Sequence, residues 1–240
     1  MALWLAPMTL AAQAQFRLEA RHDHWRKHCT GTLAFTDGGV SYEEAPSKKK
    51  DKDRHAWRWA YTDIQQLDIG AGRVSVLTYR DATWKLGADR EQEFAVADDA
   101  VLSEVYEFLK TRLDRRFVSR LAGDGLPPLW QLPVKRLGRI RGSEGALLVA
   151  ADRIVYRTSR KGDSRTWRYS DIENISTSGP FQLTITTFER DKFHYGNYKG
   201  YNFQLKEALD EARYEELWRR LNQSKGLKLI GSYRDKEESK

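Results

Sequence analysis

The chain holds a single cysteine, Cys29, so no disulfide can form within it and cysteine use leaves the compartment open. It has no stretch of about 18 or more apolar residues, the length that would mark a membrane-spanning helix. It also lacks a phosphate-binding G-x-x-x-x-G-K-[ST] loop, a G-x-S-x-G nucleophile elbow and an H-E-x-x-H zinc helix. Positive charge is only modestly in excess, with 41 Lys and Arg against 34 Asp and Glu, a formal net charge of +7. That balance permits contact with an acidic surface and does not demand nucleic acid.

What the chain does have is a repeat. Trp59, Tyr61, Thr62, Asp63 and Ile64 match Trp167, Tyr169, Ser170, Asp171 and Ile172 as W-x-Y-[TS]-D-I, offset by 108 positions. Upstream, Gly31-Thr32-Leu33 with Val40-Ser41-Tyr42 matches Gly145-Ala146-Leu147 with Ile154-Val155-Tyr156, offset by 114. A period of that length means two copies of a whole domain rather than a solenoid of short units. With 240 residues, each copy can bury a core.

Within each copy the pattern alternates apolar and polar residues, then changes period. Residues 16–20, 30–35, 40–42, 57–61, 74–79, 84–86 and 93–96 read as strands, as do 146–149, 154–157, 182–188, 193–195 and 201–205. Val101, Leu102, Val105, Phe108, Leu109 and Leu113 then follow a helical stripe, with Asp98 as a plausible N-cap. Tyr214, Leu217, Trp218 and Leu221 repeat that stripe in the second copy. Asp37-Gly38-Gly39 predicts a tight hairpin with positive φ. Residues 121–133 carry three of the six prolines and two glycines, the composition of a stiff linker. Leu227 to Ile230 could add a short strand, and the charged end 234–240 reads as disordered.

The aromatic strand ending in D-I, preceded by G-x-L…[VI]-x-Y and followed by strands and one amphipathic helix, resembles the pleckstrin-homology-like superfold, closest to its GRAM-like and bacterial versions. The resemblance implies a mainly β fold of two tandem, strongly bent antiparallel sheets or split barrels, each closed by one helix. The expected domains are 16–116 and 134–222, with a linker at 117–133 and a tail at 223–240. Residues 1–15 form a candidate signal peptide, because an apolar stretch ends in Ala12-Gln13-Ala14. Cleavage there would make the protein secreted or periplasmic; otherwise it is cytoplasmic.

The superfold implies a non-enzymatic binding scaffold, here for a protein partner first and an anionic membrane surface second, with no nucleic acid expected. Lys48, Lys49, Lys50, Lys52 and Arg54 are the candidate anion or lipid contacts, interrupted by Asp51 and Asp53 on a hairpin loop six residues longer than its counterpart. The alternatives are a small enzyme with a site between the domains, built from His22, Asp23, His24 and His194, and a weak nucleic-acid binder. His22, His24, His28 and Cys29 are metal-capable side chains close together, but residues 134–142 hold no equivalent His or Cys. The expectation is therefore no metal, no cofactor and no catalytic residue. Asp63 and Asp171 are expected to hold turns by accepting main-chain N–H groups.

Overall fold

The structure is a computed structural model that describes residues 15–23, 28–46, 54–83, 87–114, 117–191, 197–223 and 225. In the first half, β1 (Phe16–Asp23), β2 (His28–Phe35), β3 (Gly39–Glu44) and β4 (Ala56–Ala60) lead into a 3-10 turn at Tyr61–Asp63. Then come β5 (Ile64–Gly70), β6 (Arg73–Asp81), β7 (Asp89–Val96) and helix α1 (Asp99–Leu109). A short strand, β8 (Phe117–Ser119), precedes the second half. That half contains β9 (Trp130–Leu137), β10 (Ser143–Val149), β11 (Arg153–Arg157), β12 (Arg165–Arg168), a 3-10 turn at Tyr169–Asp171, β13 (Ile172–Ser176), β14 (Gln182–Arg190), β15 (Tyr198–Leu205) and α2 (Glu211–Gln223).

The protein is mainly β with two helices, as the alternation predicts. Strand order is β5-β6-β7-β1-β2-β3-β4 in the first half and β13-β14-β15-β9-β10-β11-β12 in the second, so the two orders correspond strand for strand. Two separate sheets were the expectation; the hydrogen-bonded ladder is instead continuous over fifteen strands. The cause lies in the segment expected to be a linker. Phe117, Val118 and Ser119 are all buried, and β8 pairs parallel with β5 and antiparallel with β12. An open strand edge presents unpaired N–H and C=O groups, and β8 covers one such edge in each half. The other edges of the ladder are β4 and β13.

The repeated motif now has a physical account. Trp59 pairs with Val40 and Trp167 with Ile154, the same register in each half. The tyrosine hydroxyls tie the following turn to the β2–β3 or β10–β11 turn: Tyr61 donates to the Thr36 carbonyl at 2.7 Å and Tyr169 to the Ala150 carbonyl at 2.8 Å. Ile64 and Ile172, both fully buried, then begin the next strand. These strands, β5 and β13, are absent from the sequence reading, where the motif marks only a strand end. Gly31 and Gly145 also share a role: a Cβ on either would lie 2.2 or 2.1 Å from the carbonyl oxygen of Glu43 or Arg157. Only glycine permits this close approach of neighbouring strands.

The β2–β3 hairpin carries a positive φ at Gly39, 159°, as the triplet predicts. It is held by Thr36, whose hydroxyl accepts from Gly38 N–H at 3.2 Å and Gly39 N–H at 3.1 Å. Left-handed geometry also occurs in the β5–β6 turn, at Ala71 (φ 55°) and Gly72 (φ 74°).

Each half has its own apolar core. Leu33, Phe35, Ile64, Leu67, Phe94, Leu102 and Leu109 belong to the first, and Leu147, Ile154, Trp167, Ile172, Phe203, Leu217 and Leu221 to the second. Asp98 caps α1, accepting from Ala100 N–H at 2.8 Å. Phe108 and Trp218 only partly join their cores. Arg112 lies 3.7 Å over the Phe108 ring, which explains why that ring stays near the surface.

Polar contacts join the halves. Arg168, from β12, donates to the carbonyls of Lys110, Leu113 and Asp114 just beyond α1. The same guanidinium pairs with Asp171, which also accepts from the Arg168 main-chain N–H at 2.9 Å. Burial pushes the Asp171 pKa up, against the pull of Arg168. Arg153 reaches Glu107 of α1 at 2.8 Å, and Arg190 reaches Asp89 at 2.7 Å. Asp171 therefore acts on the turn as expected. Asp63 does not: it is exposed, with no hydrogen-bond partner for its carboxylate among the described residues.

Leu102→Ala and Leu217→Ala should each cost about 2–5 kcal/mol, more than Phe108→Ala, because the leucines are fully enclosed. Urea unfolding checks the order. Arg168→Met should cost about 3–5 kcal/mol by stranding buried Asp171, and Arg168→Met/Asp171→Leu should recover part of that loss in the same measurement.

Candidate functional site

Three chemically reactive side chains meet at one corner of the first half. Cys29 comes from β2, Glu44 ends β3, and His55 immediately precedes β4. Main-chain pairing sets them together. The Glu44 N–H donates to the His55 carbonyl at 2.9 Å, and the His55 N–H donates to Glu44 Oε2 at 3.0 Å. These bonds close the neck of the loop between β3 and β4. Cys29 Sγ lies 3.6 Å from His55 Nδ1, and Glu44 Oε2 lies 3.5 Å from the same nitrogen. The thiol, carboxylate and imidazole atoms all lie within 4.8 Å of one another.

The corner is largely closed. Cys29 and Glu44 are buried, while the His55 side chain keeps 33% of its surface open. Aromatic rings wall it in. Trp57 stacks on His55 at 5.0 Å and on Tyr42 at 5.5 Å. The Tyr42 hydroxyl lies 3.4 Å from Cys29 Sγ and donates to the Cys29 carbonyl at 3.4 Å. Burial and then the thiol contact push its phenol far above the ordinary range, so Tyr42 stays protonated. His22 stands alongside, 6.1 Å from the His55 ring. A carbonyl can only accept, so the 2.9 Å contact of His22 Nδ1 with the Glu93 carbonyl places the proton on Nδ1.

The chemistry of this corner is convergent. A nucleophile relay needs the base to face its nucleophile and its orienting carboxylate with different ring nitrogens. Here both neighbours approach Nδ1. Three donor atoms around one point suit the binding of a cation better than the passage of a proton.

The second half builds the same corner from other residues. Ser143, Thr158 and Asp163 stand at the offsets of Cys29, Glu44 and His55, and Arg136 pairs with Ser143 as His22 pairs with Cys29. Tyr156 keeps the role of Tyr42, donating to the Ser143 carbonyl at 2.6 Å. Arg136 lies 2.9 Å from Asp163. Burial works to raise the Asp163 pKa, but the Ser143 hydrogen bond and the guanidinium hold it below the usual carboxylate value.

A second buried polar cluster lies in the second half. Tyr201 donates to Glu189, Lys199 reaches Glu189 at 3.3 Å, and Arg165 donates to the Tyr201 oxygen at 3.2 Å. Its members satisfy one another, which marks a structural network. Along β1 to β4 runs an open groove of about 610 Å³ whose lining includes Arg17, Thr32, Ser41, Glu43, Arg58 and the corner residue Glu44.

The sequence-predicted residues are placed as follows. Lys48, Lys49, Lys50, Lys52 and His24 lie outside the described residues, as do residues 1–14, 227–230 and 234–240. Arg54 is half-buried at the entry to β4. His28 is exposed and alternates away from Cys29 along β2. Sequence proximity therefore picked out Cys29 and missed Glu44 and His55, which only strand pairing brings near. The usable signal was the repeat itself, since a corner whose chemistry changes between copies stands out against unchanged neighbours.

Cys29 should react far more slowly with a thiol reagent in the native protein than in denaturant, because its sulfur is buried behind Tyr42 and His55. His55→Ala should speed the native reaction. Equal native and denatured rates would contradict the geometry described.

Comparison with known proteins gives little more. No family model and no curated protein matches the chain. Among solved structures it is similar to the C-terminal domain of an unknown protein from Leishmania infantum, at 11% identity and a TM-score of 0.31, covering 51% of this chain and 95% of that one. It is also similar to the Spt16D Pob3N heterodimer, at 12% identity and a TM-score of 0.26, covering 66% of this chain and 75% of that one. Likeness at this level carries no argument about fold family or function.

Proposed function

We propose that the chain is a non-enzymatic pair of pleckstrin-homology-like modules that binds a protein partner. The observation that carries this reading is the groove over β1 to β4. It is open and mixed in charge, lined by Arg17 and Arg58 together with Glu43 and Glu44, and it borders edge strand β4. Small-molecule sites are concave, mostly apolar and able to bury most of their ligand. A charged groove beside a strand edge that no described strand pairs fits a peptide or protein surface, through main-chain pairing and rim charges.

The correspondence of strand order between the halves supports the tandem assignment, as does the matched placing of Trp59/Trp167, Tyr61/Tyr169 and Ile64/Ile172. In sequence, the basic run at 48–54 lies between β3 and β4, two of the strands that line the groove. Its charges would raise the rate of encounter with an acidic partner, screened beyond about 8 Å at physiological salt.

Affinity capture from a lysate of the source cells, with wild type and Arg17→Glu/Arg58→Glu in parallel, tests the proposal. A specific protein should co-purify with wild type and bind the variant at least tenfold more weakly, a loss of about 1.4 kcal/mol. Equal recovery by the folded variant would overturn the groove assignment. Tight, salt-resistant sedimentation with anionic vesicles would replace the protein partner with a membrane.

A further inference from the structure

We propose that Cys29, Glu44 and His55 form a binding site for a divalent transition-metal ion of the zinc class. This goes beyond partner binding and rests on separate observations. The donor set is thiolate, imidazole and carboxylate, the three kinds of ligand that zinc accepts together. Softer and harder ions fit less well: copper(I) favours sulfur-rich sets, while magnesium and calcium favour oxygen.

The spacing agrees with the donor types. Zinc bonds sulfur at about 2.3 Å and imidazole nitrogen or carboxylate oxygen at about 2.0–2.2 Å, so tetrahedral coordination puts neighbouring ligand atoms roughly 3.3–3.6 Å apart. The observed separations are 3.6 Å from Cys29 Sγ to His55 Nδ1 and 3.5 Å from His55 Nδ1 to Glu44 Oε2. The third edge, from Cys29 Sγ to the Glu44 carboxylate, is within 4.8 Å and would close on an ion bound between them. Three protein ligands leave a fourth position for water, and the part-exposed His55 is the open side of the corner.

The second half supplies an internal comparison. There the frame is the same, but Ser143, Thr158 and Asp163 replace the three donors, and the cation is the Arg136 guanidinium at 2.9 Å from Asp163. Position for position, the first half has His22 where the second has Arg136, and a thiol, a carboxylate and an imidazole where the second has Ser143, Thr158 and Asp163. A metal ion would take the place of the cation. It would also fix the neck of the β3–β4 loop, because Glu44 and His55 are the paired residues at its base.

The test is a titration of the full chain with cobalt(II), after treatment with chelator and reductant. One equivalent should bind, giving thiolate-to-cobalt charge-transfer absorption in the near ultraviolet and the intense visible bands of a four-coordinate ion, and zinc(II) should displace it. Cys29→Ser should abolish the charge-transfer band and weaken binding at least about tenfold. Glu44→Gln should keep the band but weaken binding. Cys29→Ser suits the fold, because the second half carries serine at that position, and circular dichroism checks this. Zinc should raise the melting temperature of wild type and not of Cys29→Ser. Absence of the charge-transfer band in wild type would overturn the proposal. So would cobalt affinity or a zinc-induced melting shift that is unchanged in folded Cys29→Ser.

Discussion

Helix α1 is followed by three main-chain carbonyls turned toward the second half, and one guanidinium meets them. These carbonyls lie in the segment after the helix, where no regular ladder pairs them, and a main-chain carbonyl taken from water needs a donor. Arg168 satisfies Lys110, Leu113 and Asp114 while Asp171 balances its charge. Arg168 also sits on β12, the strand that pairs with β8, and β8 pairs with β5 of the first core. The pairing of the segment after α1 and the continuity of the sheet thus meet at one strand, β12. Each half buries its own core, but neither closes its polar groups alone.

The two halves share a frame and differ in what they hold. Tyr61 and Tyr169 bind corresponding carbonyls, and Tyr42 and Tyr156 bind the carbonyls of Cys29 and Ser143. These contacts fix the backbone around one corner in each half. What fills the corner is free to change, because the surrounding strands are already satisfied. In the second half an arginine and an aspartate neutralise each other. In the first, a thiol, a carboxylate and an imidazole converge behind Trp57. The groove proposed for a partner adjoins this corner, because Glu44 belongs to the lining of one and to the donor set of the other.

Much of this was legible in the residues. The repeat, the two helices and the Asp98 cap follow from offsets, period and capping chemistry that need no tertiary information. Strand β8 was not legible, since three residues are too few to show a period and its partners come from both halves. Nor were β5 and β13, because the 3-10 turn at the D-I motif looks in sequence like an ending rather than a reversal. The corner was half visible. Cys29 was singled out with His22, His24 and His28, its neighbours along the chain. Its partners, Glu44 and His55, lie 15 and 26 positions away and reach it through antiparallel pairing of β2, β3 and β4.

The metal ion proposed for the first half would be the counterpart of the Arg136 guanidinium in the second. The most direct measurement is an anomalous difference map from crystals grown with zinc, collected at the zinc absorption edge. The account predicts a peak within bonding distance of Cys29 Sγ, His55 Nδ1 and Glu44 Oε2, and none at Ser143, Thr158 and Asp163. No peak at the first corner, or equal peaks at both, would contradict it.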